Sequence, residues 1–170
     1  FDFTFFGSQT RNDLAFGDGF KDTEELGNNI KTLNCKNIEI RSQGYWKNHS
    51  EVYLPYLPQT LGDYPTDIII SSVAEADAIF DNHSSLMQDI LRIQLLAMKF
   101  NIAHFLLGDY YIQNEGKTIN ELVTYADNLL REAPSDPVNP ELERVKDILD
   151  DLNTAEYLNH CYELLPPAPM

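Results

Sequence analysis

The longest stretch of helical periodicity lies in the second half of the chain. Between residues 85 and 107, apolar side chains recur at alternate spacings of four and three residues, and a second apolar stripe adjoins the first. The two stripes comprise Leu86, Ile90, Ile93, Ala97, Phe100, His104 and Leu107, and Leu91, Leu95, Met98, Ile102 and Phe105. A helix that is apolar over so much of its circumference is enclosed by other elements. The pattern therefore predicts a central helix over residues 85–107, with Gly108 as its C-terminal cap.

Further helices are predicted from capping residues followed by apolar periodicity. The capping pairs are Ser72 with Glu75, Thr118 with Glu121, and Asn139 with Pro140. The Ser, Thr and Asn side chains bond free backbone N–H groups of the first helical turn, and Pro has the backbone angle of a first helical residue. The helices they predict cover residues 73–81, 119–131 and 141–160. We therefore expect a mainly α fold, a small helical bundle around one central buried helix.

The N-terminal part of the chain has a different pattern. Phe1, Phe3 and Phe5 alternate with polar residues, which predicts a short β element with one apolar face, and residues 37–41 predict a second short strand. Residues 44–66 contain several Tyr and Pro residues and are predicted to form an ordered, aromatic-rich loop with at most one helical turn. The predicted organisation is an N-terminal arm over residues 1–34, a helical domain over 35–161, and an extended Pro-rich tail over 162–170.

Composition and charge exclude some partners. The 170 residues are 43% apolar and 23% charged, which is ordinary for one globular domain. The net charge of −15 repels phosphate backbones, so we expect no nucleic-acid partner. Membrane insertion is not expected either, because no stretch reaches the roughly 18 apolar residues of a membrane helix.

Catalytic and cofactor motifs are missing from the sequence. It contains no Gly-x-Ser-x-Gly segment, no P-loop and no dinucleotide fingerprint, and its four histidines do not have zinc-site spacings. We therefore expect no catalytic residue, no metal ligand, no cofactor and no enzymatic activity. His104 is predicted to be a core residue with a bonded ring nitrogen.

One short segment has the composition of a binding site. Its members are Tyr45, Trp46, Lys47, Asn48, His49 and Glu51. The group would bind a glycan by stacking on Trp46, or a divalent cation through His49 and Glu51. In the alternative interpretation Tyr45 and Trp46 fill the helical core and the segment is structural. We expect it to dock on the central helix, with Gln94 and Asn101 bonding its backbone.

The residues Gly44-Tyr45-Trp46-Lys47-Asn48-His49 also carry a family resemblance. The segment resembles the Gly-Tyr-Trp-Lys-Asn-His signature of an uncharacterised family of secreted bacterial and archaeal proteins, although Ser50 stands where that family usually has Pro. Residues 94–101 and 149–153 are similar to two further helical motifs of the family, a Gln-Leu-x-Ala-x-Lys-Leu-Asn helix and a closing Leu-Asp-x-x-Asn helix. The resemblance covers about residues 35–161.

The resemblance bears on compartment and on the two cysteines. By themselves, Cys35 and Cys161 fit either a bridge closing a long loop or two separate buried thiols. The resemblance implies export and a disulfide between them.

Two functions remain open at the level of the sequence. The first is an extracellular or cell-surface structural subunit that assembles with copies of itself into a filament, using an assembly arm that contains Phe1, Phe3, Phe5 and Phe6. The arm either adds to an exposed edge or groove of a neighbouring copy or folds back to pair with residues 37–41 of its own chain. The second is a secreted carbohydrate- or metal-binding domain, or an enzyme, centred on residues 45–49. A fully buried Trp46 favours the first, and a surface cleft containing Trp46 and His49 favours the second.

Overall fold

The computed structural model describes residues 38–154 and 164–167, together with the backbone of residues 11–12 and 14–15. The chain divides into two compact units, Phe1–Asn37 and Ile38–Met170. In the first unit, β1 (Arg11–Asn12) pairs with β2 (Leu14–Ala15). The predicted strand over residues 1–5 lies outside the described residues.

The second unit is mainly α, as the periodicity predicted. Its helices are α1 (Gln43–Lys47), α2 (Ser50–Tyr53), α3 (Val73–Phe80), α4 (Met87–Phe105), α5 (Ile119–Arg131) and α6 (Pro140–Asn153), with a 3-10 turn at Leu54–Tyr56. The strands are β3 (Gln59–Leu61), β4 (Ile68–Ile70), β5 (Tyr111–Ile112), β6 (Lys117–Thr118) and β7 (Leu164–Leu165). β3 pairs antiparallel with β4, while β5 lies between β6 and β7 in a second small antiparallel sheet.

The predicted central helix is confirmed. α4 contacts α1, α3, α5 and α6, and packs most extensively against α6. Its buried side chains are Leu91, Gln94, Leu95, Leu96, Ala97, Met98, Phe100 and Asn101. The core of the unit therefore forms around α4.

Helix starts follow their capping residues. Thr118 and Glu121 form the reciprocal capping box of α5. Ser72 caps α3 by accepting from the Glu75 N–H, but Glu75 reaches back to the N–H of Ser71 and not to that of Ser72. Asn139 caps α6, with Pro140 as its first residue.

Helix ends are predicted less well. α4 ends at Phe105, where Leu106 adopts a left-handed conformation with φ of 58°, so the prediction that Gly108 is the cap is wrong. Gly108 lies close to another side chain instead, because a Cβ there would be 2.3 Å from the end of the Asn120 side chain, which would have to move to admit it. α6 ends at Asn153, short of the predicted residue 160, where the Thr154 hydroxyl and N–H both bond the Asp150 carbonyl.

Two predictions for the preceding segment are also wrong. Residues 38–41 are not a strand, because the side chain of Asn101 bonds both the N–H and the carbonyl of Arg41 and takes the place of a neighbouring strand. Residues 44–66 are not mainly loop, since Ser42 caps α1 and the chain continues through α2, the 3-10 turn and β3.

Candidate functional site

Trp46 is a core residue. Its side chain is 0% exposed, although α1 lies at the edge of the bundle. The surrounding rings are Tyr45 at 5.2 Å, Phe100 at 5.6 Å, His104 at 5.8 Å and Phe105 at 6.4 Å between ring centroids. The indole N–H donates to Asn101 Oδ1 at 3.2 Å. Trp46 therefore presents no ring face on which a sugar could stack.

Asn101 joins three parts of the chain through one side chain. Its Oδ1 accepts from the Arg41 N–H at 2.8 Å and from the Trp46 indole, while its Nδ2 donates to the Arg41 carbonyl at 2.8 Å. The second Nδ2 hydrogen is donated to Asn153 Oδ1 at 2.9 Å. Both donors and both acceptor positions of the amide are thus used, which is how a fully buried Asn is stabilised.

Asn153 continues this polar network to Gln94. Its Nδ2 lies 2.9 Å from Gln94 Oε1 and 3.0 Å from the Gln94 carbonyl oxygen. The prediction for Gln94 is therefore wrong, since Gln94 binds the end of α6 and not residues 45–49. Asn101 does bond backbone groups, but they belong to Arg41. Asn153 was not predicted as a partner, although it closes the 149–153 segment that carries the resemblance.

Tyr45 and His49 bind each other on the outer side of α1. Their rings are stacked at 4.0 Å with an interplanar angle of 13°. His49 Nδ1 lies 2.7 Å from the Tyr45 carbonyl oxygen, and because a carbonyl oxygen only accepts, Nδ1 is the donor in this bond. Both side chains are half-buried.

The remaining polar members of the segment have structural partners or positions. Lys47 Nζ lies 2.6 Å from Asp81 Oδ1, and Asn48 Nδ2 donates to the Gly44 carbonyl at 2.8 Å. Glu51 is exposed in the first turn of α2, where a negative charge complements the helix dipole. Within residues 38–154 and 164–167, no three His, Cys, Asp or Glu side chains are grouped so that they could hold a metal ion.

His104 differs from its predicted position. It lies on the apolar stripe of α4 but is exposed at the surface, so the prediction of a core histidine is wrong. The His104 ring packs edge-on against the Trp46 ring, and its Nδ1 lies 2.7 Å from the Tyr56 hydroxyl. The prediction of a bonded ring nitrogen is confirmed.

Two concave regions were not predicted from the sequence. A cavity of about 50 Å³ is lined by Arg92, Asp63 and Leu142, among others, and its Arg92 guanidinium is paired with Asp63 and Asp89. A more open groove of about 380 Å³ between α4 and α5 is lined in part by Lys99 and Asp127.

Lys99 and Asp127 are already paired with each other. Their Nζ–Oδ2 distance is 2.7 Å, Lys99 also donates to the Thr60 carbonyl, and Asp127 Oδ1 accepts from the Gly62 N–H at 2.7 Å. The charges in this groove therefore tie β3 to the two helices.

Several predicted site residues lie outside the described residues. These are Phe1, Phe3, Phe5 and Phe6 of the arm, and both cysteines, Cys35 and Cys161. The disulfide stays a prediction.

Comparison with known proteins places the chain in no established group. No protein-family model matches it, and no curated protein and no solved structure is significantly similar to it. The resemblance at residues 44–49 therefore stays a prediction. No helix among the described residues combines the length and the apolar character needed to cross a membrane.

Proposed function

We propose that this chain is an extracellular or cell-surface structural subunit that assembles with copies of itself through its N-terminal arm. The complete burial of Trp46 is the observation that supports this function over a binding site at residues 45–49. The most distinctive segment of the sequence contributes its largest side chain to the core, and its polar members bond neighbouring groups of the same chain.

The concave regions also support a structural role. Small-molecule sites usually measure about 300–1,000 Å³, whereas the cavity beside Arg92 has about 50 Å³, which is room for a few water molecules. The groove between α4 and α5 has the volume of a ligand site, but its Lys99 and Asp127 are held by each other and by the backbone around β3.

The sequence of the arm supports assembly between copies. Phe1, Phe3 and Phe5 would place three large rings on one face of an extended strand. Burial of that much apolar area stabilises the contact that removes it from water. A strand given by one copy to the next makes a head-to-tail contact, which generates a ring or an open filament.

Deleting residues 1–6 tests the assembly function. The parent protein should form rings or filaments by electron microscopy and sediment as large species, while the truncated protein should remain folded and monomeric. A full-length variant with Ser at positions 1, 3 and 5 is the matched control for chain length and should also be monomeric. A parent protein that stays monomeric at high concentration, or a truncated protein that assembles unchanged, would contradict the proposal.

Thiol titration tests the implied export. An oxidising compartment allows Cys35 and Cys161 to bond, and a bridge closing so long a loop stabilises by a few kcal/mol in the chain-entropy model. Protein purified from its natural source and unfolded without reductant should contain no free thiol. Two free thiols per chain would contradict the bridge and weaken the extracellular assignment.

A further inference from the structure

Strand β4 consists of three isoleucines in a two-stranded sheet, and the middle one is exposed. Ile70 is 0% exposed and Ile68 is half-buried, whereas Ile69 points to the opposite face and is 62% exposed. Soluble proteins usually protect such edges with very short strands, Lys, Pro or a bulge, because an unpaired apolar edge recruits another strand. β4 is short, with three residues, but it contains no Lys, no Pro and no bulge.

The outer edge of the partner strand β3 is covered by helix side chains. The Thr60 carbonyl accepts from Lys99 and the Gly62 N–H donates to Asp127, so these two alternate residues direct backbone groups away from β4. Thr60 is opposite Ile69 in the register. In an antiparallel pair, two residues that lie opposite each other either both bond the other strand or both point their N–H and carbonyl groups away from it.

The open edge of this sheet is therefore that of β4. By this geometry the N–H and carbonyl of Ile69 face away from β3, and among the described residues no backbone group bonds them. An incoming strand would find one donor, one acceptor and an exposed apolar side chain at the same residue.

We propose that the edge of β4 is the acceptor for residues 1–5 of a second copy of this chain, an inference that rests on the proposed assembly function. The added strand bonds the outward N–H and carbonyl of Ile69, and one of the alternate rings of Phe1, Phe3 and Phe5 packs against the Ile69 side chain. The other face of β4 is closed to them because Ile70 is already fully packed.

The period-two pattern of residues 1–5 fits a strand added at the edge of β4. Main-chain bonds of an added strand supply affinity, and alternate side chains supply the fit to the exposed face. The sheet of β5, β6 and β7 is a poorer acceptor because each of its outer strands has two residues.

Substitutions at Ile69 test the acceptor edge in the full-length chain. Ile69→Lys introduces a charge of the kind that protects natural edges, and Ile69→Pro removes the outward N–H without removing a bond to β3. Both variants should lose assembly and keep a melting temperature within a few degrees of the parent. Leu86→Lys is the matched control, since Leu86 is also 62% exposed, and it should assemble like the parent.

A mixing experiment tests the direction of the contact. Protein lacking residues 1–6 keeps its acceptor edge, and Ile69→Pro protein keeps its arm, so each alone should be monomeric. Their mixture should form a 1:1 heterodimer with about twice the 19.5 kDa mass of the chain, measured by light scattering after size exclusion. It should grow no further, because neither free end of the pair can continue the head-to-tail contact.

The outcomes separate this inference from the proposed function. Ile69 variants that assemble like the parent, or a mixture that stays monomeric, overturn the β4 acceptor; if the arm deletion still abolishes assembly, the structural function stands. A parent protein that never assembles overturns both. Should Ile69→Pro fail to fold, Ile69→Lys takes its place in the mixture and gives the same distinction.

Discussion

At the scale of the residue, Trp46 contributes both a large packed ring and a hydrogen bond to the core. Its ring fills the space between α1 and α4, and its N–H uses an acceptor position of Asn101. Removing the ring would leave a cavity in the core and would leave one of the two acceptor positions of Asn101 Oδ1 unused.

Trp46→Ala should therefore lower the free energy of unfolding by about 3–5 kcal/mol, measured by urea denaturation. Tyr64→Ala, which removes a half-exposed ring outside the core, should change it by about 0.5 kcal/mol or less. A Trp46→Ala protein that unfolds at the same urea concentration as the parent but loses affinity for a glycan would support the binding function instead.

Gly62 is required by a close approach of two backbones. A Cβ at this position would lie 2.1 Å from the Asp127 carbonyl oxygen, and backbone atoms cannot move aside as a flexible side chain can. Gly62→Ala should cost about 1–3 kcal/mol, as overpacked positions do.

Gly44 is the matched control for this substitution. A Cβ at Gly44 would meet nothing nearer than Ser42 Oγ at 3.9 Å, and the residue lies within α1. Gly44→Ala should be neutral or stabilise by up to about 1 kcal/mol. Equal melting temperatures for Gly62→Ala and Gly44→Ala would show that the Asp127 backbone leaves room for a Cβ at position 62.

At the scale of the elements, the Lys99–Asp127 pair joins α4 and α5 to β3. The two side chains are 13% and 10% exposed, so each depends on the other for the stabilisation of its charge. Removing one partner from such a pair leaves a largely buried charge uncompensated.

Lys99→Met and Asp127→Leu should each cost about 3–5 kcal/mol, and the double variant should cost much less than their sum. A double-mutant cycle in urea measures the difference. The surface pair Arg131–Asp67, with side chains 42% and 33% exposed, is the control and should show a coupling of about 1 kcal/mol or less. Additive costs at Lys99 and Asp127 would show that the two residues act independently.

At the scale of the whole molecule, the charge of −15 opposes assembly. Copies of so acidic a chain repel one another, so the proposed arm contact must overcome a long-range electrostatic cost. Salt reduces this cost, because the Debye length falls from about 30 Å at 0.01 M to about 8 Å at 0.15 M ionic strength.

Assembly of the parent protein should therefore become more complete as NaCl is raised across this range, measured by sedimentation velocity at constant protein concentration. The Leu86→Lys variant should respond in the same way. Assembly that weakens as salt is added would show that oppositely charged surfaces, and not an apolar arm, hold the copies together.

The sequence alone determined the features that depend on neighbours along the chain. The apolar stripes predicted the central helix α4, and the side chains of Thr118 and Asn139 marked the starts of α5 and α6, because a cap bonds backbone groups only two or three residues away. Helix ends were predicted less well, since Leu106 and Thr154 end helices in ways that glycine rules do not foresee.

The tertiary structure decided which polar groups meet across long stretches of chain. Asn101 takes the backbone bonds of Arg41 from 60 residues away and so prevents the strand that alternation favoured. The Asp127 side chain bonds the Gly62 N–H, 65 residues away in the sequence, and so covers the outer edge of β3. The edge of β4 is therefore the open one. Such pairings depend on how the helices pack, and no local pattern encodes them.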